Sequence, residues 1–306
     1  MGWHNGPPSW AEMQRVLEGR PPVGDGGDSP AWSRKRAAYQ PPAGERRPSR
    51  VPYAELHAHS AYSFLDGAST PEELVEEAAR LDLTAIALTD HDELLGLAEA
   101  ADAAREVGLR FVPGVEVSVS WLDQTVHVVG LNIDPSHPAL VAGLHQVREG
   151  RDGRAGQIAA ELDRIGIHGA LEGALRYAGN PALVSRAHFA RYLVEIGIAR
   201  NVHDVFLHYL ARGKPGYVEH VWASLDEAVG WIRGAGGVAV IAHPGRYKYT
   251  QTQFGALFDE FKQLGGAAIE VNTGSHTPEQ YQEYAQVARS YGFLASMGSD
   301  FHGPGE

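Results

Sequence analysis

A chain of 306 residues is long enough for one large domain or two small ones, and 43% hydrophobic residues can supply a sizeable core. A formal net charge of −12 argues against a broad surface that coats nucleic acid, but leaves room for a local phosphate pocket where bound cations offset the acids. The chain has no cysteine, which excludes disulfides and thiolate metal sites; it also lacks an apolar run of membrane-spanning length, so a cytoplasmic protein with no membrane association is expected.

Residues 1–50 are rich in Pro, Gly and Arg, as in GRPPVGDGGDSP and QPPAGERRPSR. They read as an extended or disordered leader with one short helix around Trp10–Glu18. Arg34, Lys35, Arg36, Arg46 and Arg47 form a basic cluster: a solvated tail, or a contact with nucleic acid or another subunit. From Val51 the pattern becomes strand–helix alternation. Tyr53–His57 is the first strand. Thr70-Pro71-Glu72-Glu73 is a capping box with Pro at the first helical position, and the helix after it should bury Leu74, Val75, Ala78 and Leu81. Thr84–Thr89 is a short apolar strand that ends in Asp90-His91, and a helix over Glu93–Val107 follows. Leu109–Val112 leads through Pro113-Gly114 to a strand carrying Glu116, and Thr125–Leu131 is a strand carrying His127. Between Asp134 and Ser224 the alternation gives way to consecutive helices: Ala139–Ile165, Leu171–Tyr177, Ser185–Glu195 and Val202–Ala211. We read about 135–224 as a helical insertion over the C-terminal strand ends, where such segments shape substrate pockets. Strands then resume at Val238–Ala242, Ala267–Val271 and Phe293–Met297. About seven strands, most separated by helices, predict a mainly parallel sheet, and polar residues at so many strand C-termini favour a barrel over an open sheet.

Those polar residues carry the chemistry. His57-x-His59 at the end of a strand projects two imidazoles from the same side of an extended backbone. Asp66, His91, Glu116, His127, His243, Asp300 and His302 complete the set. Each alone has a mundane reading: a lone His beside a strand is usually hydrogen-bonded or exposed, and Asp66-Gly67 is a turn signal. Together, six His and three carboxylates at strand ends would be costly buried polar groups unless they hold cations. Imidazole and carboxylate donors without thiolate suit Zn, Mn or Fe, and nine ligands are too many for one ion. Bound divalent ions generate hydroxide near neutral pH and neutralise phosphate oxygens during in-line displacement.

The stretches ELHAHS, ALTDHD, VPGVEVS, HVVG, IAHPGR and GSDFHG resemble the motif series of the PHP (polymerase and histidinol phosphatase) superfamily. That resemblance implies a distorted (β/α)7 barrel with a two- or three-metal phosphoesterase site, and it assigns the nine residues as ligands. It also implies Mn2+, with Zn2+, Fe2+ or Mg2+ as the other candidates. From about Glu93 onward, stretches such as SRAHFARYLVE, YLARGKPGYV and EVNTGSHTPEQY resemble the RNase AM type, whose members are 5′→3′ exoribonucleases that also dephosphorylate nucleoside 3′,5′-bisphosphates. Residues 1 to about 90 resemble instead the N-terminal PHP domain of bacterial error-prone DNA polymerases. The two likenesses meet near Thr84–Gly96. The loop from His59 to Asp66 has two more residues than the RNase AM type usually has, which makes Asp66 the least certain ligand. The resemblance further implies a segment after the last strand to cover its outer face; four residues follow His302, so lower stability is expected.

By the same resemblance, Arg186 and His188 grip a substrate phosphate; Arg suits this because its planar fork meets phosphate oxygens bidentately. Arg246 is another phosphate candidate, and His243 could protonate the leaving oxygen as well as bind metal. His276 could approach the pocket, or its neighbours Ser275 or Thr277 could simply cap a helix. Lys214 is either structural or a contact to RNA backbone, and Trp222 and Trp231 read as core. The expected activity is hydrolysis of phosphate esters of nucleotides or of the 5′ end of a short single-stranded RNA. The rival readings are a polymerase-type module with an exonuclease or structural role, linked to DNA polymerase machinery through the leader, and a non-catalytic metal-binding domain.

Overall fold

A computed structural model of the chain describes residues 51–63, 69–122, 124–177, 184, 186–218 and 222–302. The leader, including its expected short helix and its basic cluster, and the expected ligand Asp66 lie outside the described residues. The rest divides into two compact units, one built from the segments before Val147 and after Val221, the other from Val147–Val221.

The first unit is a seven-stranded sheet in the order β1 (Ala54–Glu55), β2 (Ala85–Leu88), β3 (Arg110–Trp121), β4 (Gln124–Leu131), β5 (Val238–Ile241), β6 (Ala268–Thr273) and β7 (Leu294–Gly298). His59 N donates to Phe301 O at 2.8 Å and Asp300 N to His57 O at 2.8 Å, so the two edges meet and the sheet is a nearly closed barrel. Gly298 permits this approach: a Cβ there would lie 2.4 Å from the Cβ of His57. The sheet is parallel except at β4, which runs antiparallel to both β3 and β5. A mainly parallel sheet was expected, and β4 departs from it because a link of only residues 122 and 123 joins β3 to β4; a parallel crossover needs a dozen residues or more.

Among the described residues, six helices pack on this unit or begin in it: α1 (Pro71–Arg80), α2 (Leu97–Val107), the start of α3 (Pro138–Arg164) and, later in the chain, α7 (Leu225–Gly234), α8 (Gln251–Gln263) and α9 (Pro278–Tyr291); the second unit's α4 (Ala170–Leu175), α5 (Arg186–Glu195) and α6 (Val202–Val205) come between them in sequence. The capping box at Thr70 forms as expected, with Glu73 N donating to Thr70 Oγ1 and Thr70 N to Glu73 Oε2. Leu74, Val75 and Ala78 are buried, but Leu81 is 46% exposed, because it is the C-cap of α1 and falls beyond the buried stripe. Helix α2 starts at Leu97 rather than Glu93: the Glu93 carboxylate accepts from Leu94 N and Leu95 N and holds that segment in a turn. Strand β3 runs unbroken through Pro113-Gly114, where a break was expected. Pro113 is the last partner of β2 and Gly114 the first of β4, so the missing N–H falls where the strand changes neighbours. Trp231 packs against α3 at Gly143, in keeping with a core role, and Trp222 is half-buried with Nε1 donating to Thr125 Oγ1.

The second unit is helical among its described residues, around a core that includes Ile158, Leu162, Phe189, Leu193, Val205 and Leu210. Helix α6 runs into a π-helical turn, Phe206–Leu210. Among the described residues no helix is long and apolar enough to cross a membrane.

Candidate metal centre

Eight of the nine expected ligands are described, and the barrel brings all eight to one place. The first pair comes from the segment after β1. His57 and His59 are fully buried, with their Nε2 atoms 3.2 Å apart. Glu116, in the middle of β3 and fully buried, turns Oε1 to His57 Nε2 at 3.4 Å and Oε2 to His59 Nε2 at 3.3 Å. Asp300 Oδ1 lies 3.4 Å from each of the same two nitrogens. Donor atoms around a tetrahedral ion, each about 2.1 Å from it, stand about 3.4 Å apart, so these four side chains already have ligand spacing. His91 Nδ1 is 2.8 Å from Glu116 Oε2, His127 Nδ1 is 2.9 Å from Glu116 Oε1, and His243 Nε2 is 3.1 Å from the same oxygen. His302 joins His59 and His91 in a further cluster.

Three groups of ligand atoms result: His57, His59, Glu116 and Asp300; His59, His91 and His302; His91, Glu116 and His127. The groups overlap at Glu116, His59 and His91, and the Glu116 carboxylate, with two oxygens, could serve more than one cation. The hydrogen bonding makes the same case. Glu116 Oε2, Asp300 Oδ1 and the Nδ1 atoms of His91 and His127 are buried without a hydrogen-bond partner. Such orphaned atoms are costly in a dry site and are satisfied by a cation at their centre. The residues therefore fit divalent ions.

Protonation reflects the same crowding. Burial alone would lower the His57 pKa, but the carboxylates of Glu270 and Glu116 overcome it and hold it well above the ordinary value. Burial opposes His59 too, yet the Asp300 and Glu116 carboxylates beside its Nε2 raise it to about 9. Glu116 goes the other way: burial would raise it, but His91, His127 and His57 hold it well below the usual carboxylate range. Asp300 is likewise held low, against burial, by His59 and His57. Burial keeps the His243 pKa down. Two of the expected ligands stand on unusual backbone: His243 has φ 27° and Asp300 φ 57°, a left-handed region uncommon for residues other than glycine.

Several residues that hold this centre escaped the sequence reading. Asp90 accepts from Ser60 N at 2.5 Å and Ser60 Oγ at 2.6 Å, and Asp92 accepts from Ser118 N and Oγ, tying both neighbours of His91 to the ligand-bearing segments. Ser63 Oγ meets His59 Nδ1 at 3.0 Å and leaves Nε2 facing the centre. Tyr247 OH accepts from His127 N and donates to Ala242 O. Glu55 accepts from His57 N and Ser299 N. Glu270 accepts from His57 Nδ1. For the two glutamates the available signal was an acid inside an apolar strand.

The substrate candidates stand differently. Arg246 Nη1 donates to Asp300 Oδ2 at 2.7 Å. His276 does not approach the centre as a ligand would: it is buried, Nδ1 donates to Val271 O and Nε2 accepts from Gly245 N, while Thr277 caps α9 with Gln280. In the second unit, Arg186 is half-buried, 5.8 Å from the ring of Phe206 and 5.9 Å from that of Tyr217, and no carboxylate among the described residues pairs with it. His188 is buried, and burial together with the Arg191 charge lowers its pKa to about 4. Lys214 is exposed.

The PHP domain family matches residues 55–291. A 3′,5′-nucleoside bisphosphate phosphatase of Chromobacterium violaceum is 54% identical over 252 residues, covering 82% of this chain and 88% of the relative. The 5′-3′ exoribonuclease Rnm of Escherichia coli is 43% identical over 252 residues, 82% of this chain and 85% of its own. An error-prone DNA polymerase of Mycobacterium bovis is 62% identical over 130 residues, 41% of this chain but 12% of the polymerase. Together these matches exceed the chain's length, so they overlap. Among solved structures, an amidohydrolase from Chromobacterium violaceum with bound sulfate and no metal has a TM-score of 0.69 at 53% identity, covering 82% of this chain and 88% of its own. A putative metal-dependent phosphoesterase from Bifidobacterium adolescentis has a TM-score of 0.65 at 29% identity, covering 85% and 91%.

Proposed function

Because the chain belongs to the PHP domain family, we propose that it is a metal-dependent phosphoesterase acting on nucleotides or on the 5′ end of short single-stranded RNA. The relatives named as a nucleoside bisphosphate phosphatase and as a 5′-3′ exoribonuclease support this substrate class. The observation that carries the reading is the spacing of 3.2–3.4 Å among the buried donor atoms of His57, His59, Glu116 and Asp300, with Glu116 Oε2 and Asp300 Oδ1 lacking any hydrogen-bond partner.

His57, His59, His91, Glu116, His127, His243, Asp300 and His302 would hold two or three divalent ions, Mn2+ by preference, with Asp66 as the ninth ligand. When bound, such ions supply a hydroxide nucleophile and neutralise charge on phosphate oxygens. Glu116 and Asp300, held ionised, bring the negative charge that offsets those ions. His243 acts as a ligand rather than as the proton donor, since burial favours its neutral form. Arg186, His188 and Arg246 bind substrate phosphate; Arg186, which has no carboxylate partner among the described residues, suits that role, and Arg246 retains donors beyond the one given to Asp300. A cytoplasmic protein fits this substrate class and the lack of cysteine.

The test is release of phosphate and nucleotide from adenosine 3′,5′-bisphosphate and from a short 5′-phosphorylated RNA by Mn2+-loaded protein, with His57→Ala as control. Turnover of either substrate, lost in the variant, supports the reading and identifies the substrate class; turnover of neither by a metal-loaded chain overturns it.

A further inference from the structure

Glu270 lies on β6 and is 1% exposed. A carboxylate in an apolar strand is unfavourable unless both oxygens are satisfied. Here both are. Oε1 accepts from His57 Nδ1 at 2.8 Å, and Oε2 accepts from the backbone N–H of His243 at 2.6 Å. One carboxylate thus ties the segment after β1 to the segment after β5, across 213 residues of sequence to His57.

Each contact has a distinct consequence. At His57, a carboxylate on Nδ1 keeps that nitrogen protonated and leaves Nε2, which faces Glu116, Asp300 and His59, as the donor atom for a cation. At His243, the bonded N–H belongs to a residue with φ 27° and ψ 56°, a conformation that needs outside support. A second contact from the same strand gives it. His276 Nδ1 donates to Val271 O, and its Nε2 accepts from Gly245 N at 2.9 Å. Val271 is the extra residue of a β-bulge, since Glu270 pairs with Ser296 and Asn272 with Met297. Bulges re-aim side chains, and this one falls directly after Glu270.

We infer that Glu270 is a positioning residue for the metal centre: it fixes the proton of His57 on Nδ1 and pins the strained turn that carries His243. The inference rests on the metal reading above. It requires a carboxylate rather than any polar group, because two donors need two acceptor oxygens. A glutamine offers one oxygen and one NH2, so either His57 or His243 N loses its partner.

The experiment uses the full chain, its Glu270→Gln variant and its Glu270→Asp variant, with Zn2+ as a diamagnetic probe. Calorimetry gives the affinity and stoichiometry of zinc; long-range 1H–15N spectra of the imidazoles show which nitrogen of His57 carries a proton, with His57→Gln identifying its signals. Circular dichroism checks that each variant is folded. The expected result is a folded Glu270→Gln chain in which at least one zinc site is weakened about 10–100-fold and the His57 Nδ1 proton signal is lost or displaced, with Glu270→Asp between it and the parent. A folded Glu270→Gln chain that binds zinc like the parent and keeps an unshifted Nδ1 proton overturns the inference. Should Glu270→Gln fail to fold, the parent and Glu270→Asp decide the matter: a parent His57 with no proton on Nδ1, or an Asp variant equal to it in affinity, is likewise contrary. A parent chain that takes up no zinc defeats the metal reading instead, and its His57 spectrum still tests the hold of Glu270 on Nδ1.

Discussion

Removing the divalent ions and raising the pH should weaken the fold in a window set by His59. This imidazole is fully buried, and its pKa rises from 6.5 to about 9 because the adjacent Asp300 and Glu116 carboxylates outweigh the burial that would lower it. A basic group whose pKa is raised by folding contributes its full stability below 6.5 and loses it as pH climbs toward about 9. At 1.36 kcal/mol per pH unit, that span corresponds to roughly 3 kcal/mol. His57 is raised in the same direction and adds to the slope. His243 is lowered, so its contribution grows with pH only below its ordinary value, and Glu116 and Asp300 are lowered, so theirs are lost only in acid. The assay is urea unfolding of chelator-treated protein, followed by circular dichroism at several pH values between 6.5 and about 9. The same series with saturating Mn2+ should be flat or rising, because the ions take the place of the protons. His59→Asn should remove much of the metal-free slope. Metal-free stability that stays constant or increases from pH 6.5 to about 9 would refute the reasoning.

Gly298→Ala places a Cβ 2.4 Å from His57 Cβ and 2.7 Å from its N, so it should force the edges of the barrel apart; a melting-temperature drop together with weakened zinc binding is the expected readout. Thr70→Ala removes the side-chain cap of α1 and should cost about 1 kcal/mol in denaturant unfolding while leaving turnover per folded molecule unchanged. Arg186→Ala should raise KM for a nucleoside bisphosphate about tenfold or more, the order expected for one charge-assisted phosphate contact, with unchanged metal content and little change in melting temperature.

The parts of this molecule that sequence made legible are those written locally. H-x-H after an apolar strand, TDHD after another, and the capping box at Thr70 announce themselves within a few residues. Eight expected ligands that converge at one centre were found this way. What stayed hidden depends on pairing over long distances. The direction of β4 follows from a short link to β3, and the passage of β3 through Pro113-Gly114 works only because its partner changes from β2 to β4 there. Glu270 looked like one acid in an apolar strand, since its partners His57 and His243 lie far off in sequence. His276 looked like a site residue because it is a histidine near a strand end; its two ring bonds to Val271 and Gly245 make it a brace instead. The left-handed backbone of His243 and Asp300 has no sequence signature, as neither is glycine.

The central claim is that the converging side chains form a catalytic metal site, and its most direct test joins metal content to turnover in one preparation. Mass spectrometry of the metal-loaded chain should count two or three divalent ions, and the same sample should release phosphate from adenosine 3′,5′-bisphosphate or nucleotide from a 5′-phosphorylated RNA. Both readouts should fall in His57→Ala. A folded parent chain that retains no divalent ion, or one that holds its ions and hydrolyses neither substrate, would contradict the account.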